Sequence, residues 1–213
     1  MAIFKKDILI SVFVGIFTAL VWISVLIRLH TLEGFGLPDK SVWVLIVFVP
    51  VVYVLALYLA GWLSRRWSFF ESFAKFVMVG FLNTGVDFAV FNFLMFVTGN
   101  DQPGLGLAVF KAIAFIVAVT NSYFWNKHWA FKAGSSDINK GEEFAKFFAV
   151  NVGAALINVG ITSGITVAVS PQFGFSQVAW NNIAAVAATA FVLIWNFVGF
   201  KLIVFKKNAG SIS

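Results

Sequence analysis

Asp87 stands twelve residues after Lys75 within an apolar run. At about 1.5 Å of rise per helical residue this places it about 18 Å along a helix, close to the middle of a bilayer. A carboxylate at that depth costs several kcal/mol unless it is neutralised, paired or hydrated. Gly80, Asn83 and Asp87 are spaced i, i+3, i+7 and share one helical face; Asn151, Ala154 and Asn158 repeat that spacing further on, with Thr162 one turn beyond. Two readings of these stripes stand. They form a polar groove for a hydrophilic group crossing the membrane, or they are hydrogen-bonded glue between helices. On either reading both stripes are expected to face inward, toward each other.

Lys111 opens the next apolar run from its outer end. Its ammonium is a strongly hydrated point charge suited to a phosphate at the outer face, or it simply snorkels outward. At the inner face Asn126, Lys127 and Lys201, with Arg65 and Arg66 as neighbours, are expected to form a matching phosphate site, although membrane topology alone also puts bases there. Ser122 and Asn196, with Asn121, Asn181, Asn182 and Thr189, add polar groups to the same two runs. The substrate-contacting set is therefore Asn83, Asp87, Lys111, Asn126, Lys127, Asn151, Asn158 and Lys201, supported by Gly80, Ser122, Asn196, Arg65 and Arg66.

Signatures of catalysis are missing. No GxxxxGK[ST], HExxH, GxSxG or DxD pattern occurs, and with no cysteine there is no thiol nucleophile or cysteine-based zinc site. His30 and Glu33 lie three apart in an outer loop with no further ligand, so no metal is expected. The expectation is a protein that is not an enzyme and uses no cofactor.

The elements that must carry these residues follow from composition. Of 213 residues 61% are hydrophobic and 11% charged, against about 25% charged in soluble domains. Six runs are long enough to cross about 30 Å of hydrocarbon as helices: Ile8–Ile27, Val42–Leu63, Phe76–Val97, Leu107–Trp125, Phe147–Val169 and Asn181–Val204. Such runs lack the two-residue alternation of a barrel strand, and lipid leaves the backbone no other partner, so an all-α polytopic protein is expected. The net charge of +6 is explained by its distribution. With both termini inside, twelve bases are cytoplasmic and only Arg28, Lys40 and Lys111 are external, which fixes the orientation and makes lipid headgroups, not nucleic acid, their partners. The first run is read as a retained anchor. The segment Ser64–Phe76, rich in bases and aromatics, either lies along the inner interface or anchors the ends of spans two and three. Pro50 is expected to kink span two.

An internal repeat divides the chain. "FAKFVMV" from Phe73 recurs as "FAKFFAV" from Phe144, with five of seven residues identical, and Lys127 and Phe131 near the end of span four match Lys201 and Phe205 of span six. The unit is a two-helix hairpin used twice, with parallel copies because each has an even number of spans. Expected domains are an additional hairpin over 1–70, a four-helix domain over 71–207 with repeats near 73–131 and 144–205, and a tail over 208–213.

"KFVMVGFLNTGVDFAVF", "SYFWNKHWAF", "KFFAVNVGAALIN" and "NFVGFKLIVF" together resemble the GtrA-like family of small membrane proteins over residues 73–205. That family's basic residue, glycine, asparagine and aspartate are matched by Lys75, Gly80, Asn83 and Asp87, and its Asn-basic-x-Trp-x-Phe ending by Asn126, Lys127, Trp129 and Phe131. The second copy departs, with Phe200 where the family often has asparagine. The usual member has four spans, so the first hairpin is an addition. The resemblance implies a flippase in the cell membrane of a prokaryote. It would move a polyprenyl-phosphate-linked monosaccharide from the inner to the outer leaflet for cell-surface polysaccharide, with a polyprenyl-phosphate glycosyltransferase as candidate partner; separately, because small four-helix units often dimerise to enclose a path, a homo-oligomer, a dimer if any, fits the chain. Two other classes fit the residues: a non-transporting accessory subunit of such a glycosyltransferase, and a small-molecule exporter using Asp87 as a cation site.

Overall fold

The computed structural model describes residues 5–28, 38–100, 105–132, 139–172 and 177–205. His30, Glu33, Pro103 and the tail over 208–213 lie outside them. Helix α1 is Lys5–Arg28; a 3-10 turn, Asp39–Val44, leads into α2, Leu45–Leu63; α3 is Phe70–Thr98; α4 is Leu105–Trp125; α5 is Lys140–Ala168; α6 is Gln177–Gly199. A π-helical turn extends α4 over Asn126–Ala130 and another extends α6 over Phe200–Val204. No strand occurs among the described residues, and six helices are long and apolar enough to cross a membrane. The chain is an all-α multi-pass membrane protein.

Helix α3 starts at Phe70, earlier than its apolar run suggests, and continues unbroken to Thr98. The i,i+4 pair Glu71–Lys75, with N–O 2.7 Å, carries its first turns where apolar residues do not. The aromatic-basic segment is therefore divided between a turn after Leu63 and the start of α3, with no separate interfacial helix. At the other end Gly99 closes α3 with φ +64°, a left-handed cap that glycine adopts without a Cβ penalty.

The chain divides into two compact units, Met1–Lys132 and Ala133–Ser213. In the first, α1 packs against both α2 and α3, and α3 against α4. Lipid gives helices no hydrophobic drive to associate, so close approach and hydrogen bonds must hold them. Both are present. A Cβ on Gly15 would stand 2.7 Å from the Pro50 Cα, so α1 and α2 meet backbone to backbone where proline sits inside α2. Tyr53 on α2 donates to the Met78 carbonyl on α3 at 3.0 Å and to Thr18 on α1 at 3.4 Å, tying three helices at one buried hydroxyl. The core between them holds Val14, Leu57, Val79 and Leu82.

In the second unit α5 and α6 pack against each other. Trp195 donates its indole N–H to the Val150 carbonyl at 3.0 Å. A Cβ on Gly199 would lie 2.8 Å from Val150 Cγ1, so glycine admits the valine. Phe147 stacks on Phe200 at 4.3 Å near the end of the hairpin.

Candidate functional site

A run of polar side chains joins α3 and α4 in the first unit. Lys111 donates from Nζ to Asp87 Oδ2 across the hairpin. Each charge supplies what the other needs to persist in a low-dielectric span. The pair is lopsided. The Asp87 side chain is 20% exposed and that of Lys111 is 52% exposed, while Asp87 Oδ1 is buried without a hydrogen-bond partner. The ammonium also lies 5.6 Å from the ring centres of Phe88 and of Phe91, where the aromatic faces stabilise its charge. Lys111 is thus turned along the helix toward Asp87 rather than outward as a lone base.

One turn away Asn121 donates to Asn83 at 3.4 Å, again from α4 to α3. Asn83, Asp87, Lys111 and Asn121 form a polar ladder along the hairpin. Its geometry can present an acceptor and a cation side by side to a passing polar group. Gly80, at the end of the same face, is half-buried, and a Cβ there would meet nothing within 4 Å. It keeps the stripe narrow but is no close-packing contact. That role falls to Gly85, where a Cβ would lie 2.9 Å from the Trp22 indole nitrogen. Trp22 in turn donates to the Phe81 carbonyl at 3.2 Å and stacks on Phe81.

The inner residues are arranged differently from an open surface site. Asn126 and Lys127 are buried in the first π turn. Asn126 Nδ2 donates to the Ser122 carbonyl at 2.8 Å and to its hydroxyl at 3.1 Å, and Lys127 Nζ donates to the Tyr123 hydroxyl at 3.2 Å. The turn is wider than an α-helical one: Phe131 N–H reaches back to the Asn126 carbonyl, at 2.9 Å, five residues rather than four. Arg65 and Arg66 stand exposed on the turn between α2 and α3, with the Arg66 guanidinium 5.7 Å over the Trp67 ring. No hydrogen bond or ion pair joins either arginine to Asn126 or Lys127 among the described residues.

A charge cluster that the sequence reading did not single out lies at the same end of the first unit. Lys75 is 1% exposed and pairs with Asp7 at 2.9 Å and Glu71 at 2.7 Å; Lys132 reaches Asp7 at 3.1 Å and Glu71 at 3.6 Å. Burial works against the Lys132 charge, but the hydrogen bond and attraction from Asp7 outweigh it and hold its pKa above the usual lysine value. An acid at the edge of the first apolar run and the i,i+4 spacing of Glu71 and Lys75 were the available signals.

The second unit shares the π turn with the first but, among the described residues, not its cross-helix polar pairs. Asn151 donates to the Phe147 carbonyl of its own helix at 2.8 Å. Asn158 is half-buried and makes no hydrogen bond among the described residues. Thr162 Oγ1 and Asn196 Oδ1 are buried without partners. Lys201 is exposed, with its ammonium 5.7 Å over the Phe197 ring, as Lys127 lies 5.5 Å over Tyr123. The second π turn closes by the same five-residue step, Phe205 N–H to the Phe200 carbonyl at 2.7 Å.

Residues 75–205, more than half of the chain, match the family described as GtrA/DPMS, transmembrane domain. No curated relative and no solved structure matches the chain.

Proposed function

This chain belongs to the GtrA/DPMS transmembrane-domain family, membrane proteins tied to the handling of polyprenyl-phosphate sugars, and from that premise we propose that it moves such a lipid between leaflets. The cargo is one sugar on a polyprenyl phosphate, carried from the inner to the outer leaflet of a prokaryotic cell membrane. The observation that carries the reading is the polar ladder between α3 and α4, with a half-exposed cation beside a carboxylate oxygen that lacks a partner. A flippase must keep phosphate and sugar hydroxyls solvated by protein while the tail stays in lipid. Lys111 offers a charge-assisted contact to the phosphate. Asp87 and Asn83 offer acceptors to sugar hydroxyls. No covalent bond changes, so the protein acts without catalysis and without a cofactor, and a downstream glycosyltransferase draws the lipid outward by consuming it.

Reconstitution tests this. Proteoliposomes containing the chain are expected to exchange polyprenyl-phosphate monosaccharides between leaflets faster than protein-free liposomes; no acceleration with any of several sugars overturns the proposal. A second reading is favoured by one observation, that Asp87 is already paired. On it the ladder is interhelical glue and the chain is an accessory subunit of a membrane glycosyltransferase, in which case Asn83→Ala leaves function intact.

A further inference from the structure

A large concavity of the first unit lies between α2 and α3, away from the α3–α4 seam that carries the ladder. It encloses about 610 Å³ and is lined by apolar side chains from end to end, among them Leu45, Val52, Ala56, Leu63, Phe73 and Phe81. That volume falls within the range of about 300–1,000 Å³ typical of small-molecule sites. The hydroxyl of Tyr53, on its wall, is turned away to the Met78 carbonyl. From Leu45 to Leu63 the groove follows the nineteen residues of α2, about 27 Å from first to last at 1.5 Å per step, nearly the full thickness of about 30 Å of hydrocarbon.

Length and charge identify the occupant. A phospholipid acyl chain stays within its own leaflet and would fill about half of such a groove. A single chain long enough to cross both leaflets fills it. At the end marked by Leu63 and Phe73, the turn between the helices carries Arg65 and Arg66, both exposed. Neither forms an ion pair among the described residues, and Arg66 is braced over Trp67 at 5.7 Å. Two exposed arginines on the turn that follows the groove's Leu63 end complement a phosphate at the head of an apolar chain. The α2 wall precedes residue 75 and lies outside the family match, whereas Val77, Met78 and Phe81 of the α3 wall lie within it.

We propose that the groove between α2 and α3, with Arg65 and Arg66 on the turn after its Leu63 end, is a docking site for a polyisoprenyl phosphate, the phosphate on the arginines and the chain along the groove. The identity of the chain rests on the function proposed above; the groove and the two arginines do not. The first hairpin and the first half of α3 then hold the carrier lipid.

The test uses the full chain in phosphatidylglycerol-containing liposomes with a polyisoprenyl phosphate bearing photoreactive diazirines, cross-links being mapped by mass spectrometry and leaflet exchange measured in the same preparation. Cross-links are expected on α2 and α3 between Leu45 and Phe81. Arg65→Gln with Arg66→Gln is expected to lower labelling about tenfold, the effect of losing one or two charge-assisted contacts. Leu59→Trp, which fills the groove from its exposed rim, is expected to lower it without touching the arginines. Several results overturn the proposal: cross-links confined to other helices, labelling that falls as phosphatidylglycerol is raised, or a Val52→Cys variant that forms a disulfide between two copies and so assigns the groove to a dimer contact. If labelling fails while leaflet exchange persists, only the groove is refuted; if exchange itself is absent, the functional reading falls as well.

Discussion

At the scale of single residues the chain places charge in lipid and then neutralises it locally. Asp87 and Lys111 do this across one hairpin, and Asp7, Glu71, Lys75 and Lys132 do it as a cluster at the end of the first unit. Removing one partner of a buried pair costs about 3–5 kcal/mol, because the remaining charge is left without compensation, whereas replacing both together is close to neutral. Lys111 is half-exposed, so the cost here should fall below that range. Asp87→Asn and Lys111→Gln are each expected to lower thermal stability by about 1–3 kcal/mol, and the double variant is expected to recover most of it. Stability and transport should then separate: the double variant stays folded yet loses leaflet exchange. Thermal unfolding in detergent and exchange in liposomes measure the two. A double variant no more stable than either single one would show that the two charges do not act as a pair.

At the scale of elements, lipid made the helices legible and left their faces illegible. All six spans are visible as apolar runs because a spanning backbone has no alternative to the helix. Their ends are less so, and α3 shows why: Glu71 and Lys75 interrupt the apolarity while strengthening the helix, so the span extends to Phe70. Which face meets which neighbour cannot be read from runs apolar on every side, and for that reason neither the pairing of Asp87 with Lys111 nor the burial of Lys127 was foreseeable. The π turns were visible only as the shared lysine and phenylalanine of two segments, Lys127/Phe131 and Lys201/Phe205; the five-residue hydrogen bond that unites them leaves no other mark in sequence. Glycine teaches the same lesson. Gly80 was singled out by its spacing, yet tight helix–helix contacts in its unit are found at Gly15 and Gly85 instead. Because a methyl on Gly15 would meet backbone rather than a movable side chain, Gly15→Ala is expected to push α1 from α2 and cost about 1–3 kcal/mol, the usual penalty of overpacking. Gly80→Ala, in open space, is expected to be near neutral. Equal melting temperatures for the two variants would refute the backbone contact.

At the scale of the whole molecule the distribution of bases argues for an orientation, and the side-chain contacts sharpen that argument. Of the three bases assigned outside, Lys111 is engaged by Asp87, which leaves only Arg28 and Lys40 to oppose insertion from that face. Of the bases assigned inside, Lys75 and Lys132 are partly spent on Asp7 and Glu71, but Arg65 and Arg66 stand exposed on the turn between α2 and α3. Short loops flanking spans are where such bias acts, and cations near anionic headgroups stabilise the cytoplasmic side. The turn after Leu63 is therefore expected in the cytoplasm and the turn after Thr98 outside. Because the chain has no cysteine, single replacements report this without background. Asn100→Cys is expected to react with a membrane-impermeant maleimide in intact cells, and Ser68→Cys only after the membrane is opened. The opposite pattern would reverse the orientation and, with it, move Arg65 and Arg66 to the outer face, where they would receive a lipid phosphate after transfer rather than before it.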